Sequence, residues 1–390
     1  MKKIIPLLFI ILLFGSSLQA QEEGKKEKKY SLNGYITNMQ SFLMYDGIDG
    51  LWQNDNLIHN RLNFTWFPSD KFSLNLEART RFFSGDQVRF TPGYADMMGM
   101  DNGIVDMNWN LFSEPSFLLN TQIDRAFLTY EKGNLNISLG RQRINWGRSF
   151  AWNPNDIFNS YSFFDFDYPE KPGSDALRVQ YYTSATSSAE LVAKIDSAKK
   201  VSAAGLFKFA AWGYDFQFLA GMINERDYVV GTGWEGNISN ISFKGEASYF
   251  HPKNNFQDTT GVFSAGTSLG YFFDNSLFLQ TEFLYTSKEA DFSSVITEPL
   301  GAKSLSFTKY NILVNVSYPL TPLFNVSFSA MYYPGVNGFY AGPTFTYSLG
   351  DNLDFNFIVQ SFYIPDFQLF ESEEENLKLS FAFLQLKYNF

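Results

Sequence analysis

The stretch from Lys309 to Tyr318, KYNILVNVSY, decides the fold. Its even positions Tyr310, Ile312, Val314, Val316 and Tyr318 are apolar or aromatic, whereas Lys309, Asn311, Asn315 and Ser317 are polar. A period of two belongs to a β-strand with unlike faces, because successive side chains leave the backbone on opposite sides. The alternation returns at Phe72, Leu74, Leu76 and Ala78 against Ser73, Asn75, Glu77 and Arg79. It returns again at Ile241, Phe243 and Ala247 against Ser242, Lys244, Glu246 and Ser248. Such strands suit either a half-solvated sheet or a wall between lipid and an aqueous lumen.

Composition favours the wall. Aromatic residues equal charged ones at 18%, while mean hydropathy is slightly negative at −0.17. Beyond the N-terminal segment no apolar run reaches the roughly 18 residues that a membrane helix needs, so helical spans are excluded. Apolar and aromatic surface dispersed at strand spacing reads instead as a lipid-facing barrel with aromatic girdles. A soluble sandwich or propeller would show clearer divisions or internal repeats, and neither is found. The chain has no cysteine. Disulfides, thiolate metal sites and a lipid-modified cysteine are thereby excluded.

The first residues give an expected compartment. Lys2 and Lys3, the apolar run Ile4 to Phe14 and the small and polar exit Gly15 to Ala20 match a secretory signal peptide cleaved after Ala20. The expected organisation is a signal peptide at 1–20, a basic periplasmic tail at 21–29 and a barrel over 30–390, in the bacterial outer membrane.

Connections fall into two alternating kinds. Short turn-forming links stand at Pro68-Ser69-Asp70, Gly133-Asn134, Gly213-Tyr214-Asp215, Asn237 to Asn240, Asp274-Asn275-Ser276, Pro319 to Pro322 and Gly350-Asp351-Asn352. Longer ones run from Ser84 to Asn120, Ile144 to Ser174 and Lys288 to Ser306. The first kind reads as periplasmic turns and the second as extracellular loops. Counting through them predicts an all-β, antiparallel, up-and-down transmembrane barrel of about 18 strands, with about 16 as the alternative, and both termini periplasmic.

The last strand, Leu384, Leu386, Tyr388 and Phe390 alternating with Gln385, Lys387 and Asn389, resembles the terminal strand of outer-membrane barrels. That resemblance implies recognition by the barrel-assembly machinery. The segment Gly140-Arg141-Gln142-Arg143-Ile144-Asn145-Trp146-Gly147 resembles the Arg-Gln strand end and following Trp-Gly of several outer-membrane porin and alginate-export-like families. It continues through Asn153-Pro154-Asn155-Asp156-Ile157 and Gly173-Ser174-Asp175-Ala176-Leu177-Arg178. The resemblance implies a superfamily and no particular substrate.

Parity nominates pore-lining residues. His59, Arg61, Asn63 and Thr65 oppose Leu62, Phe64 and Trp66, while Glu77, Arg79 and Arg81 share the next polar face. With Arg125, Arg141, Arg143 and Arg178 on following strands, one wall would carry an arginine ladder that attracts anions. Counting on from Leu135, Ile137 and Leu139 puts Arg141 and Arg143 on the lipid side unless Gly140 marks a bulge. The bland alternative is charge pairing with Glu77, Asp124, Glu190, Glu235, Glu246, Glu282 or Asp354, or rim contact with lipopolysaccharide. Net charge of −10 does not choose, because much of it lies in loops and in Glu371 to Glu375.

The connection Ile144 to Ser174 is the constriction candidate, with Trp146, Arg148, Trp152 and Asp156 at its centre. Such an aromatic loop folds inward to narrow the pore, caps it, or packs on neighbouring loops. Asp96, Asp101 and Asp106 match no calcium-loop spacing. Only His59 and His251 could serve a serine triad; His59 has no serine at neighbouring inward positions and His251 precedes Pro252 at a strand exit, so no enzyme and no cofactor is expected. Three functions remain: a porin for small hydrophilic solutes, anionic ones if the ladder holds; a transporter of hydrophobic or polymeric cargo; or a non-conducting surface or assembly barrel. Expected partners are outer-membrane lipid and lipopolysaccharide, the assembly machinery and a small solute. No nucleic acid is expected, and oligomeric state is not legible.

Overall fold

A computed structural model describes residues 29–45, 52–159, 163–164, 166–290, 301–365 and 376–390. The signal segment 1–20, the tail apart from Lys29, Val295 and the acidic run Glu371 to Glu375 lie outside the described residues.

Alternating faces become strands throughout. The first part of the chain forms β1 (Tyr30–Tyr45), β2 (Trp52–Ser69), β3 (Phe72–Gly85), β4 (Asn108–Glu114), β5 (Phe117–Lys132) and β6 (Leu135–Gln142). Next come β7 (Ser174–Ser184), β8 (Ser187–Ile195), β9 (Val201–Ala211), β10 (Tyr214–Ile223), β11 (Asp227–Ile238) and β12 (Ile241–Pro252). The last are β13 (Val262–Phe272), β14 (Phe278–Thr286), β15 (Tyr310–Thr321), β16 (Phe324–Tyr333), β17 (Gly338–Gly350), β18 (Leu353–Ile364) and β19 (Leu377–Asn389). Two single-turn helices, α1 (Asp86–Phe90) and α2 (Tyr94–Gly99), stand between β3 and β4.

Neighbours pair antiparallel, and β1 closes on β19 with Tyr35 opposite Asn389 and Tyr45 opposite Leu379. Eighteen of the nineteen described strands make the wall, since β3 pairs directly with β5 and β4 pairs with β5 alone. Closure satisfies the backbone internally, which is what lets a sheet stand in hydrocarbon. The count agrees with the one read from the connections.

Both ends of the barrel chain lie at one rim with the short turns. All the expected turns fall there within a residue or two, and so does Ala185-Thr186, which has no Gly, Pro, Asn or Asp to announce it. The long connections occupy the other rim. Parity holds across the wall: Ile312 and Val314 are exposed outward, while Asn311 and Leu313 between them are fully buried inside.

The interior is filled from one of the loops. Ile144, Trp146, Ile157 and Phe158 join wall residues Val192, Leu206, Leu219, Val229, Phe250 and Val262 in one buried cluster. Ala151 and Trp152 join Leu284, Leu313, Met331, Tyr333 and Tyr340 in another.

Candidate functional site

The site begins where β6 stops. The lower half of β5 pairs with β6, from Lys132 opposite Leu135 to Ala126 opposite Arg141. Its upper half is taken by β4, with Asn108 opposite Gln122 and Glu114 opposite Phe117. The chain leaving Gln142 therefore finds no free strand edge above it and turns into the lumen. The segment that displaces it reaches further, bridging Gly103 to Asp196 beyond β8.

Inside, wall carboxylates receive the loop's backbone. Glu246 accepts from the amides of Arg148, of Ser149 at 3.0 Å and of Asn155 at 3.0 Å. Glu282 accepts from Phe150 at 2.6 Å and Ala151 at 2.9 Å. Glu190 takes the Trp146 indole at 2.8 Å, and Gln217 donates to the Trp146 carbonyl at 2.8 Å. Charge-assisted bonds of this kind contribute roughly 1.5–3 kcal/mol each. They offset the cost of burying an irregular backbone, whose amides have no ladder to join. Asn155 adds a donation to the Thr232 carbonyl at 2.9 Å and accepts from Ser248 at 2.7 Å.

From there the loop crosses to the opposite wall. Phe164 packs on Tyr340 and Phe362 with ring centroids 5.0 and 4.9 Å away, and Phe166 packs on Phe383 at 4.6 Å. Gln360 donates to the Phe164 carbonyl at 3.1 Å. Phe164 is thus held in the lumen. The end of the loop meets β1–β5, where the Tyr168 hydroxyl donates to Asp124 and Tyr35 donates to Glu170 at 3.2 Å. Of the three placements open to this loop, inward folding is the one adopted. Trp146, Trp152 and Asp156 are all buried, and Arg148 reaches Gln217 at 2.9 Å and Glu235 at 3.1 Å. Burial pushes the Asp156 carboxyl up to about 6, against the opposing pull of the Asn159 carboxamide and the charge of Arg143.

The arginines divide into spent and unspent. Arg61 is wholly buried and bound by Glu77, by Asp124 at 2.6 Å and by Glu170 at 3.6 Å. A register step between Glu77 and Ala78, opposite Arg125 and Ile123, makes a bulge that lets adjacent Asp124 and Arg125 both face inward. Arg125 then holds the Glu170 and Lys171 carbonyls at 2.6 and 2.7 Å. Arg178 pairs with Glu190 at 2.8 Å.

The register runs unbroken through Gly140, so no bulge resets the face there. Arg141 keeps the parity of the lipid-facing Leu139, paired with Asp101 and Asp175 at 2.7 Å each, and donates to the Val105 carbonyl at 2.7 Å. Burial alone would raise Asp101, but Arg141 and the Gly103 and Met107 amides outweigh it and hold its carboxyl below the usual range. A Cβ on Gly103 would stand 1.8 Å from the Arg141 guanidinium, so only glycine lets this segment cross so closely.

Arg79, Arg81 and Arg143 are left with no ion pair among the described residues. Arg79 lies over the Tyr168 ring at 3.7 Å, Arg81 donates to Asn120 at 2.8 Å, and the Nε of all three is buried without a hydrogen bond. His59 is beside Arg79 and Arg81, opposite Arg81 in the register and 3.8 Å from Asp167.

This architecture has solved counterparts. It is similar to OprD of Pseudomonas aeruginosa at TM-score 0.58 and 8% identity, over 95% of this chain and 97% of that one. It is similar to OccAB4 of Acinetobacter baumannii at 0.57 and 10%, over 94% and 100%. It is also similar to the outer membrane protein OpdK of P. aeruginosa at 0.56 and 6%, over 92% and 98%. The fold is that of an outer-membrane barrel. No protein-family model and no curated protein matches the sequence.

Parity missed the partners of the loop's receivers. Glu246 and Glu282 were legible as inward carboxylates, yet their partners are backbone amides far along the chain rather than arginines. Tyr168, stacked under Arg79, carried no signal beyond its place in an aromatic loop.

Proposed function

We propose that this chain is an outer-membrane channel for small hydrophilic solutes and that it favours anions. One observation carries the reading: a loop bonded across the lumen narrows it beside Arg79, Arg81 and Arg143, three ladder arginines that make no direct ion pair among the described residues. Cations fixed in a low-dielectric, narrow passage raise the local anion concentration even in a protein of net charge −10. Guanidinium forks suit carboxylates and phosphates. The terminal strand ending in Phe390 supports delivery by the barrel-assembly machinery.

Purified protein added to a planar bilayer tests the channel directly. Discrete conductance steps are expected, with the reversal potential in a salt gradient on the anion side. A barrel that inserts without conducting would be a surface or assembly protein. Steps that only a polymeric or apolar cargo blocks would favour the transporter.

A further inference from the structure

The outer wall is apolar at most lipid-facing positions, as at Ile312 and Val314 on β15, but not on β1 and β2. There Asn38, Gln40, Asn54, Asn56 and Asn60 take the outward parity that Ile36, Ile58 and Trp66 share. Asn38 donates to Asn56 at 3.2 Å, Asn56 donates to Gln40 at 3.1 Å, and Gln40 donates to Asn54. The network is incomplete, since the Asn54 side-chain amide donates to nothing and the Asn60 oxygen accepts nothing among the described residues. Thr80 and Thr121 extend the patch sideways, hydrogen-bonded to each other at 3.1 Å.

Depth makes this costly. With a rise of about 3.3 Å per residue and a tilt of about 40°, Asn60 stands about 15 Å above the girdle residue Trp66, and Asn38 about 20 Å above Tyr30. Both heights fall inside an apolar band about 25 Å tall, Gln40 and Asn56 reach its upper edge at about 25 Å, and Asn54 stands above it. Inside the band acyl chains offer no hydrogen bonds, and the unmet Asn60 oxygen is penalised there. Saccharide and phosphate headgroups lie beyond that band.

We propose that this patch is the contact between two copies of the chain. Carboxamides donate and accept alike, so the surface is self-complementary, as a two-fold interface requires. None of its outward side chains is charged, which leaves nothing to bind a lipid phosphate. The closed sheet has no edge strand to lend, so association must use an outer face.

The absence of cysteine makes the test clean. Asn38→Cys and Asn56→Cys each place one thiol on the patch, and Val230→Cys places one on β11, across the barrel from it. In native outer membranes treated with a short bismaleimide, the first two should give a covalent dimer and the third none. Wild type in lipid nanodiscs should show a two-chain mass, and Asn38→Leu/Asn56→Leu/Asn60→Leu should lower the dimer fraction at least about tenfold, the worth of one good hydrogen bond. If the triple variant does not fold, the single-cysteine cross-links decide. Monomeric wild type, absent cross-links, or capture of a different protein or of lipopolysaccharide alone would overturn the proposal.

Discussion

The connections 86–116 and 143–173 leave the same rim from strands close together in the wall, and they meet opposite fates. The first folds down along β5 as β4 and completes the wall above β6, its outward Trp109 and Phe112 exposed where lipid would be. The second is shut out of that position and crosses the lumen, where Glu190, Glu246 and Glu282 receive it. Both solve the same problem, an irregular backbone that must not leave its polar groups unmet. One borrows a strand edge and the other borrows side chains. A lumen can hold an irregular loop only if its wall is stocked with acceptors, so inward carboxylates mark where the loop docks as well as what charge the passage bears.

The largest effect should come from the junction between the two. Arg141→Ala would strand Asp101 and Asp175 as buried charges, a loss of about 3–5 kcal/mol for a broken buried pair. Limited proteolysis at 100–107 should then become fast while the intact barrel still migrates as folded; unchanged resistance would mean that Arg141 does not pin the cover.

Next in size is the clasp. Glu246→Ala/Glu282→Ala removes the acceptors of five loop amides, so hydrogen exchange over 148–155 should quicken by about 100-fold or more, with 108–114 unchanged. Equal protection in the variant would show that packing of Trp146 and Trp152, not the carboxylates, holds the loop.

These contrasts show what the sequence made legible. Strand parity at Tyr310 to Tyr318 and the turns at Gly133-Asn134 or Asp351-Asn352 are local properties, read without any partner. The bulge at Asp124 is not, because two adjacent inward residues break the period that identified everything else. Nor is the fate of Arg141, whose neutralisers Asp101 and Asp175 come from a loop and from the following strand. Parity already placed it beside lipid; what could not be foreseen was a cover from 101–105. The ladder shrinks for this reason, from a row of arginines to the three that make no direct ion pair among the described residues.

A smaller effect tests loop docking by pH. The docked Asp156 carboxyl, raised to about 6 from an ordinary 3.8, binds its proton more tightly than in the undocked loop. Docking therefore strengthens as pH falls through about 6 and is weakest above it. The protection factor over 150–159, which is exchange divided by its intrinsic rate at each pH, should rise by on the order of tenfold from about pH 7.5 to about pH 5. In Asp156→Asn the protection factor should be flat across that range. An opposite slope in wild type would mean that Arg143 stabilises the charged form more than burial penalises it.

If the loop-narrowed lumen sets Arg79, Arg81 and Arg143 to act on the permeating ion, the reversal potential across a salt gradient depends on their charge. Gln at all three positions keeps hydrogen-bonding capacity and removes the charge. Wild type should prefer anions at low salt, the triple variant should shift toward cations, and the two should converge near 1 M salt, where the Debye length is about 3 Å. A folded, conducting variant with the same reversal potential as wild type at every salt concentration would show that these arginines do not act on the permeating ion.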